Sequence, residues 1–84
     1  MQYKYKTQGT CAHTITFDLD GDVVSNIKYS GGCSGNTLGL AVLAEGLTVD
    51  EIEKKLSGIR CGFKSTSCPD QLAKAVRLAQ EGKL

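Results

Sequence analysis

Residues 13–20 have the sequence HTITFDLD and are followed by Gly21. Apolar and polar residues alternate along this stretch, and this period of two predicts a strand with one apolar face and one polar face. Asp20-Gly21 is a typical tight-turn sequence, so the chain is expected to fold back at that point. The stretch therefore predicts antiparallel pairing with the residues that follow the turn.

Two further runs with strand character flank this stretch. Residues 3–7, YKYKT, alternate between aromatic or threonine residues and lysines. Residues 23–29, VVSNIKY, are rich in the β-branched and aromatic residues that strands favour. Three predicted strands in direct succession indicate an antiparallel meander.

Beyond Tyr29 the apolar pattern changes to the helical period. Residues 38–45 suit a helix that stops at Gly46. Thr48 and Glu51 form a capping box, which opens a short helix to about residue 56.

The last helix is predicted from Cys68 onwards. Pro69 and Asp70 are typical of a first helical turn, and an apolar stripe at residues 72–79 ends before Gly82. The order β-β-β-α-α-α predicts an α+β fold, a three-stranded antiparallel sheet followed by three helices packed on one face.

The length and the net charge exclude several classes of protein. With 84 residues the chain is expected to form a single domain over residues 1–84, with a thin core. The net charge is +1 with both signs interspersed, which argues against binding to nucleic acid or membrane by charge alone. The longest apolar run, residues 38–44, is too short to span a bilayer, and the N-terminus lacks the apolar segment of a signal peptide. We therefore expect a cytoplasmic protein.

Four cysteines lie far apart in this short chain: Cys11, Cys33, Cys61 and Cys68. In a reducing cytoplasm such cysteines are metal ligands or redox thiols more often than disulfides. The spacings of 22, 28 and 7 residues contain no CxxC pair, which excludes a zinc ribbon or finger. A shared site must then be assembled by the fold. The alternative is that some of these cysteines are small buried apolar residues without chemistry.

The predicted elements bring several of these residues towards one another. Cys33 and Cys68 stand where helices should begin, where free N–H groups and the helix dipole favour a thiolate. In a meander, the loop that carries Cys11 and the exit of the third strand near Cys33 lie at the same end of the sheet. His13, the only histidine, is two residues from Cys11 and is either a fourth ligand or a histidine at the edge of the core.

Residues 66–70 spell TSCPD, the string that names the TSCPD domain family. Residues 31–36, 58–62 and 66–75 resemble the blocks of that family in order, and the resemblance spans roughly residues 3–80. In that family the domain occurs alone or at the C-terminus of ribonucleotide reductases, especially adenosylcobalamin-dependent ones. The resemblance implies a link to deoxyribonucleotide synthesis, with the cysteines as metal or redox groups. The chain is too short to be a complete reductase, whose barrel needs several hundred residues.

The chain is also similar, more weakly, to the U-type iron–sulfur scaffold proteins. In these, single cysteines follow one another in the first loop, in a Gly-Cys turn after the third strand, and at the start of a late helix. Residues 11–13, 32–34 and 67–69 have that order here, and residues 46–51 resemble the segment that joins two scaffold helices. His13 stands where the scaffold has an aspartate associated with cluster lability.

Three functions are compatible with these residues. The first is a metal-binding accessory module that serves ribonucleotide reductase, or another redox protein or metalloprotein, with Cys11, Cys33 and Cys68 as ligands and His13 or Cys61 as the fourth. Zn²⁺ suits such a closed set of sulfur and nitrogen ligands. The second is a dithiol, Cys61 with Cys68, that re-reduces a disulfide of a partner. The third is a scaffold or carrier for an iron–sulfur cluster.

Overall fold

The computed structural model describes residues 2–7, 12–31, 34–59 and 66–84, with backbone alone for residues 12 and 34–37. Its elements are β1 (Gln2–Lys6), β2 (Ala12–Asp20), β3 (Val23–Gly31), α1 (Ser34–Ala44), α2 (Val49–Leu56) and α3 (Cys68–Gln80). The predicted α+β order, a three-stranded antiparallel sheet followed by three helices, is confirmed.

The sheet is a meander in the order β1-β2-β3. Tyr5 of β1 and Tyr29 of β3 both pair with Ile15 of β2, so these three side chains share one face. The turn between β2 and β3 contains Gly21, whose positive φ of 64° suits glycine. The opposite face carries a row of polar residues that includes Lys4 and Lys28.

Two β-bulges interrupt the pairing of β2 with β3. Ala12 pairs with Gly31 and Thr14 pairs with Ser30, so His13 is an extra residue on β2. A second register shift lies between the pairs Thr16–Lys28 and Asp18–Ser25 and includes Asn26, which has a φ of 52°. Bulges bend a strand and change the direction of a side chain, so the first of them sets the position of His13.

The helices cover the apolar face of the sheet. α3 packs on β2 and against α2, while α1 packs on β3. The largest fully buried side chains come from the sheet and from α2 and α3: Ile15, Phe17, Val24, Val49, Ile52, Leu72 and Val76. In the described part of the chain, no helix has the length and apolar character needed to cross a membrane.

The helices differ in what they bury. α3 buries Leu72 and Val76 as predicted, but Leu78 is only half-buried and Ala75 takes the inward position, since Ala75 follows the helical period from Leu72. Of the α1 side chains that the structure describes, Ala41 and Ala44 are buried, and Leu40 packs partly buried against the core.

Candidate functional site

Two of the five predicted site residues, His13 and Cys68, lie in the described part of the structure. Cys11, Cys33 and Cys61 lie outside the described residues. Within the described ranges no group of three or more His, Cys, Asp or Glu side chains could hold a metal ion. Cys68 is a free, half-buried cysteine.

Cys68 is the first residue of α3, as the sequence predicts. Ser67 is the N-cap, and its hydroxyl accepts a hydrogen bond from the Asp70 N–H at 3.2 Å. Pro69 lies in the first turn, where its missing N–H costs nothing. Local sequence alone thus fixes where the helix starts and where Cys68 stands on it.

Asp70 is a buried carboxylate, 3% exposed, at this helix N-terminus. It accepts hydrogen bonds from the Gly58 N–H at 2.7 Å and from the Thr66 hydroxyl, and it pairs with Lys74 at 3.1 Å. Burial acts to raise the pKa of Asp70, but the hydrogen bonds from Thr66 and Gly58, with Lys74, outweigh it and lower the pKa. The carboxylate is therefore held ionised as a structural group.

Further bonds join the same two segments. The Ser67 hydroxyl donates to the Ile59 carbonyl at 2.6 Å, and the Gln71 amide donates to the Thr66 hydroxyl at 3.0 Å. We call Thr66, Ser67 and Asp70, with the backbone of residues 58–59, the α3 clasp. It joins residues 58–59 to the N-terminus of α3.

The sequence did not predict the clasp. Ser67 with Asp70 three residues on resembles a helix-start signal, and that signal was available. The bonds to Gly58 and Ile59 cross 12 and 8 residues, so they depend on the path of the chain between them.

Tyr29 joins Cys68 to the end of β3. Its hydroxyl donates to the Cys68 carbonyl oxygen at 2.9 Å. Burial, and then the negative charge of a Cys68 thiolate, raise the pKa of Tyr29. Tyr29 therefore stays protonated and keeps donating this bond.

His13 lies against Gly31, the last residue of β3. Gly31 has a φ of 82°, and a Cβ placed there would clash with the His13 Cδ2 atom. The His13 side chain is exposed, which disfavours its interpretation as a core-edge histidine. The positive φ of residue 31 favours glycine, and the exposed imidazole of His13 lies against it.

His13 and Cys68 thus approach β3 at the same end. Their contacts, Gly31 and Tyr29, are two residues apart, about 7 Å along a strand. This is the end of the sheet at which the sequence predicts that Cys11 and Cys33 meet. Whether these two sulfurs join the site stays a prediction.

A shallow cavity of about 310 Å³ lies elsewhere, between β1, α2 and α3. Its charged side chains are already paired. Arg77 bonds Glu53 at 3.0 Å and Asp50 at 2.5 Å, and these carboxylates raise the pKa of Arg77. Lys74 pairs with Asp70. Among the described residues that line this cavity, every charged side chain already has a partner.

Comparison with known proteins decides the family. The chain matches the TSCPD domain over residues 1–80 of its 84. It belongs to the TSCPD domain family. No curated protein and no solved structure matches the chain. In this TSCPD domain the name-giving string, residues 66–70, forms the start of α3 and most of the clasp, while the similarity to the U-type scaffold fold stays a prediction.

Proposed function

We propose that this TSCPD domain is a cytoplasmic metal-binding accessory module that serves ribonucleotide reduction. Its Zn²⁺ site would use the thiolates of Cys11, Cys33 and Cys68, with His13 or Cys61 as the fourth ligand. The domain would act beside ribonucleotide reductase, or another redox protein or metalloprotein, and would not itself carry out the reduction.

This proposal is based on what the side chains of residues 66–70 contact. Thr66, Ser67 and Asp70 each use their side chains in the clasp, and Pro69 supports the first turn of α3. Cys68 alone has no such structural role, since among the described residues no hydrogen bond involves its thiol, and it is half-buried. The other four residues of this string thus hold Cys68 in place, which supports a functional role for its thiol.

The two described candidates have the chemistry that zinc requires. Zn²⁺ prefers thiolate and imidazole ligands and binds four of them as a tetrahedron in structural sites. Tyr29 fixes the backbone of Cys68, and Gly31 leaves the imidazole of His13 room at the end of β3. A bound Zn²⁺ supplies no redox chemistry; it would link the sheet to α3 and stabilise a domain with a thin core.

The clasp also favours a second function. The Ser67 hydroxyl bonds the Ile59 carbonyl, so residue 59, two positions before Cys61 in the sequence, lies at the start of α3. A Cys68 thiolate could attack a disulfide of a partner and form a mixed disulfide, which a Cys61 thiolate would resolve. The partner would leave as a dithiol, and Cys61 and Cys68 would be left as a disulfide that a cellular thiol reductant must reduce.

Metal analysis of protein purified without chelator tests the proposal, together with an absorption spectrum. We expect one zinc per chain and no visible absorption. A brown chromophore would instead support an iron–sulfur scaffold or carrier. Protein without metal that forms a Cys61–Cys68 disulfide on mild oxidation would support the dithiol function.

A further inference from the structure

The two outer edges of the sheet differ in their hydrogen bonds. On β3, Val24 donates its N–H to the Leu47 carbonyl at 2.9 Å and accepts a bond from the Gly46 N–H at 2.8 Å. The Asn26 N–H donates to the Glu45 carboxylate at 2.9 Å. The segment between α1 and α2 therefore covers the outer edge of β3.

β1 forms the other edge, and among the described residues it pairs with β2 alone. The Thr7 N–H donates to the His13 carbonyl oxygen at 3.0 Å, and alternate residues of an antiparallel strand bond to the same side. The backbone N–H and C=O groups of Gln2, Lys4 and Lys6 therefore point away from β2. An open edge of this kind can accept one more strand.

The side chains at this edge favour an acidic occupant. Lys4 and Lys6 are exposed on the polar face of the sheet, and within the described ranges neither has an ion pair. Lys28 adds a positive charge to this face, because it pairs with Thr16, which also pairs with Lys4. Acidic side chains of an added strand would lie opposite these lysines, whereas a second copy of β1 would place like charges opposite one another.

The other face of the same edge has space for an apolar side chain. Tyr5 lies on the side of the helices and lines the cavity of about 310 Å³ between β1, α2 and α3. Ala73 and Leu78 add apolar wall to this cavity. Lys74 and Arg77, which also line it, already have acidic partners. A residue opposite Tyr5 on an added strand would have its side chain beside this cavity, where an apolar group fits best.

We propose that an extended acidic segment of a partner protein binds antiparallel to β1 and continues the sheet. Two acidic residues lie opposite Lys4 and Lys6, and the apolar residue between them lies opposite Tyr5. The backbone groups of the edge supply affinity, while the lysines and the cavity select the sequence. A nucleic acid has phosphates for the lysines but no peptide groups for the edge. This inference does not depend on the metal site.

Fluorescence anisotropy at low ionic strength tests the proposal with a labelled peptide, Thr-Leu-Glu-Val-Glu-Leu-Thr, whose termini are blocked. The wild type should bind it saturably, with a dissociation constant below about 1 mM. The double variant Lys4→Glu with Lys6→Glu should bind at least about tenfold more weakly. The control Lys54→Glu with Lys83→Glu makes the same change in charge at exposed positions outside β1 and should bind as the wild type does.

The pairing of the backbones is tested with two methylated forms of the peptide. N-methylation of both glutamates blocks the N–H groups that face β1 in an antiparallel pair, and it should abolish binding. N-methylation of both leucines blocks N–H groups that point away from β1, and it should preserve binding.

A further peptide, with lysine in place of both glutamates, checks that the Lys4→Glu, Lys6→Glu protein is folded. It should bind this double variant more tightly than it binds the wild type. Three results would each overturn the proposal: no saturable binding of the acidic peptide by the wild type up to about 1 mM, equal binding of the two methylated peptides, or equal binding of the acidic peptide by the wild type and the folded double variant.

Discussion

α1 begins at Ser34, which follows Cys33 in the sequence, and α3 begins at Cys68. The contacts that fix these two helices are nevertheless of different kinds. α3 has an N-cap, a buried carboxylate, large buried residues and a basic residue in its last turn. α1 has no acidic residue in its first turn and no basic residue in its last, and its buried side chains are the small Ala41 and Ala44, with Leu40 partly buried beside them. α3 is thus fixed by polar bonds and large buried side chains, whereas α1 leaves most of its large apolar side chains exposed.

The largest change in stability is expected when leucine is replaced by alanine in α3, and the same substitution in α1 is the matched control. Leu72→Ala in α3 should lower the free energy of unfolding by about 3 kcal/mol, since Leu72 is fully buried and its loss leaves a cavity. Leu43→Ala in α1 should change it by less than about 0.5 kcal/mol, because residue 43 is exposed. Urea denaturation at low protein concentration measures both, and equal losses would contradict the comparison.

The second prediction concerns the buried charge of α3. Asp70→Asn should cost about 2 kcal/mol, because an amide cannot accept all the bonds that the carboxylate accepts from Gly58, Thr66 and Lys74. Denaturation at neutral pH measures the loss. A loss below about 0.5 kcal/mol, the usual size for a surface site, would show that the clasp does not stabilise the fold.

The same variant has a predicted pH dependence. The pKa of Asp70 is lowered in the folded state, so its contribution is present above the unfolded value of about 3.9 and is lost as the pH falls through the folded value. The difference between wild type and Asp70→Asn should therefore shrink in acid. A difference that grows as the pH falls would contradict the assignment of an ionised carboxylate.

A smaller effect is expected at the helix caps. Ser67→Ala removes both the N-cap bond to Asp70 and the bond to Ile59, and should cost about 1.5 kcal/mol. Thr48→Ala removes the side-chain bonds of the α2 capping box and leaves the backbone pairing of Thr48 with Val23, and it should cost about 1 kcal/mol. Melting curves of the two variants compare these losses of stability. A greater loss for Thr48→Ala than for Ser67→Ala would argue against a stabilising role of the clasp.

Much of the fold follows from local sequence signals. The alternation of apolar and polar residues around 13–20 predicts the strands, and the α2 capping box of Thr48 and Glu51 is present as predicted. The start of α3 at Cys68 is also confirmed. Each of these depends on residues at most four positions apart.

What the sequence did not reveal depends on contacts over a longer range. The bulge that makes His13 an extra residue is a property of two strands in register, and the bond from Gly58 to Asp70 needs a particular path of the chain. The apolar run in α1 predicts a helix but does not say which side is buried. Here Ala41 and Ala44 fit close to β3, and the bulkier Leu43 remains outside.

In our proposal, Cys68 is the functional residue that the clasp holds in place. Zinc content per chain tests it most directly in three proteins: wild type, Cys68→Ser and the control Tyr29→Phe, which removes the hydroxyl bonded to the Cys68 carbonyl and keeps every thiol. We expect one zinc per chain in the wild type and in Tyr29→Phe, and none in a folded Cys68→Ser protein. A Cys68→Ser protein that retains its full zinc would contradict it.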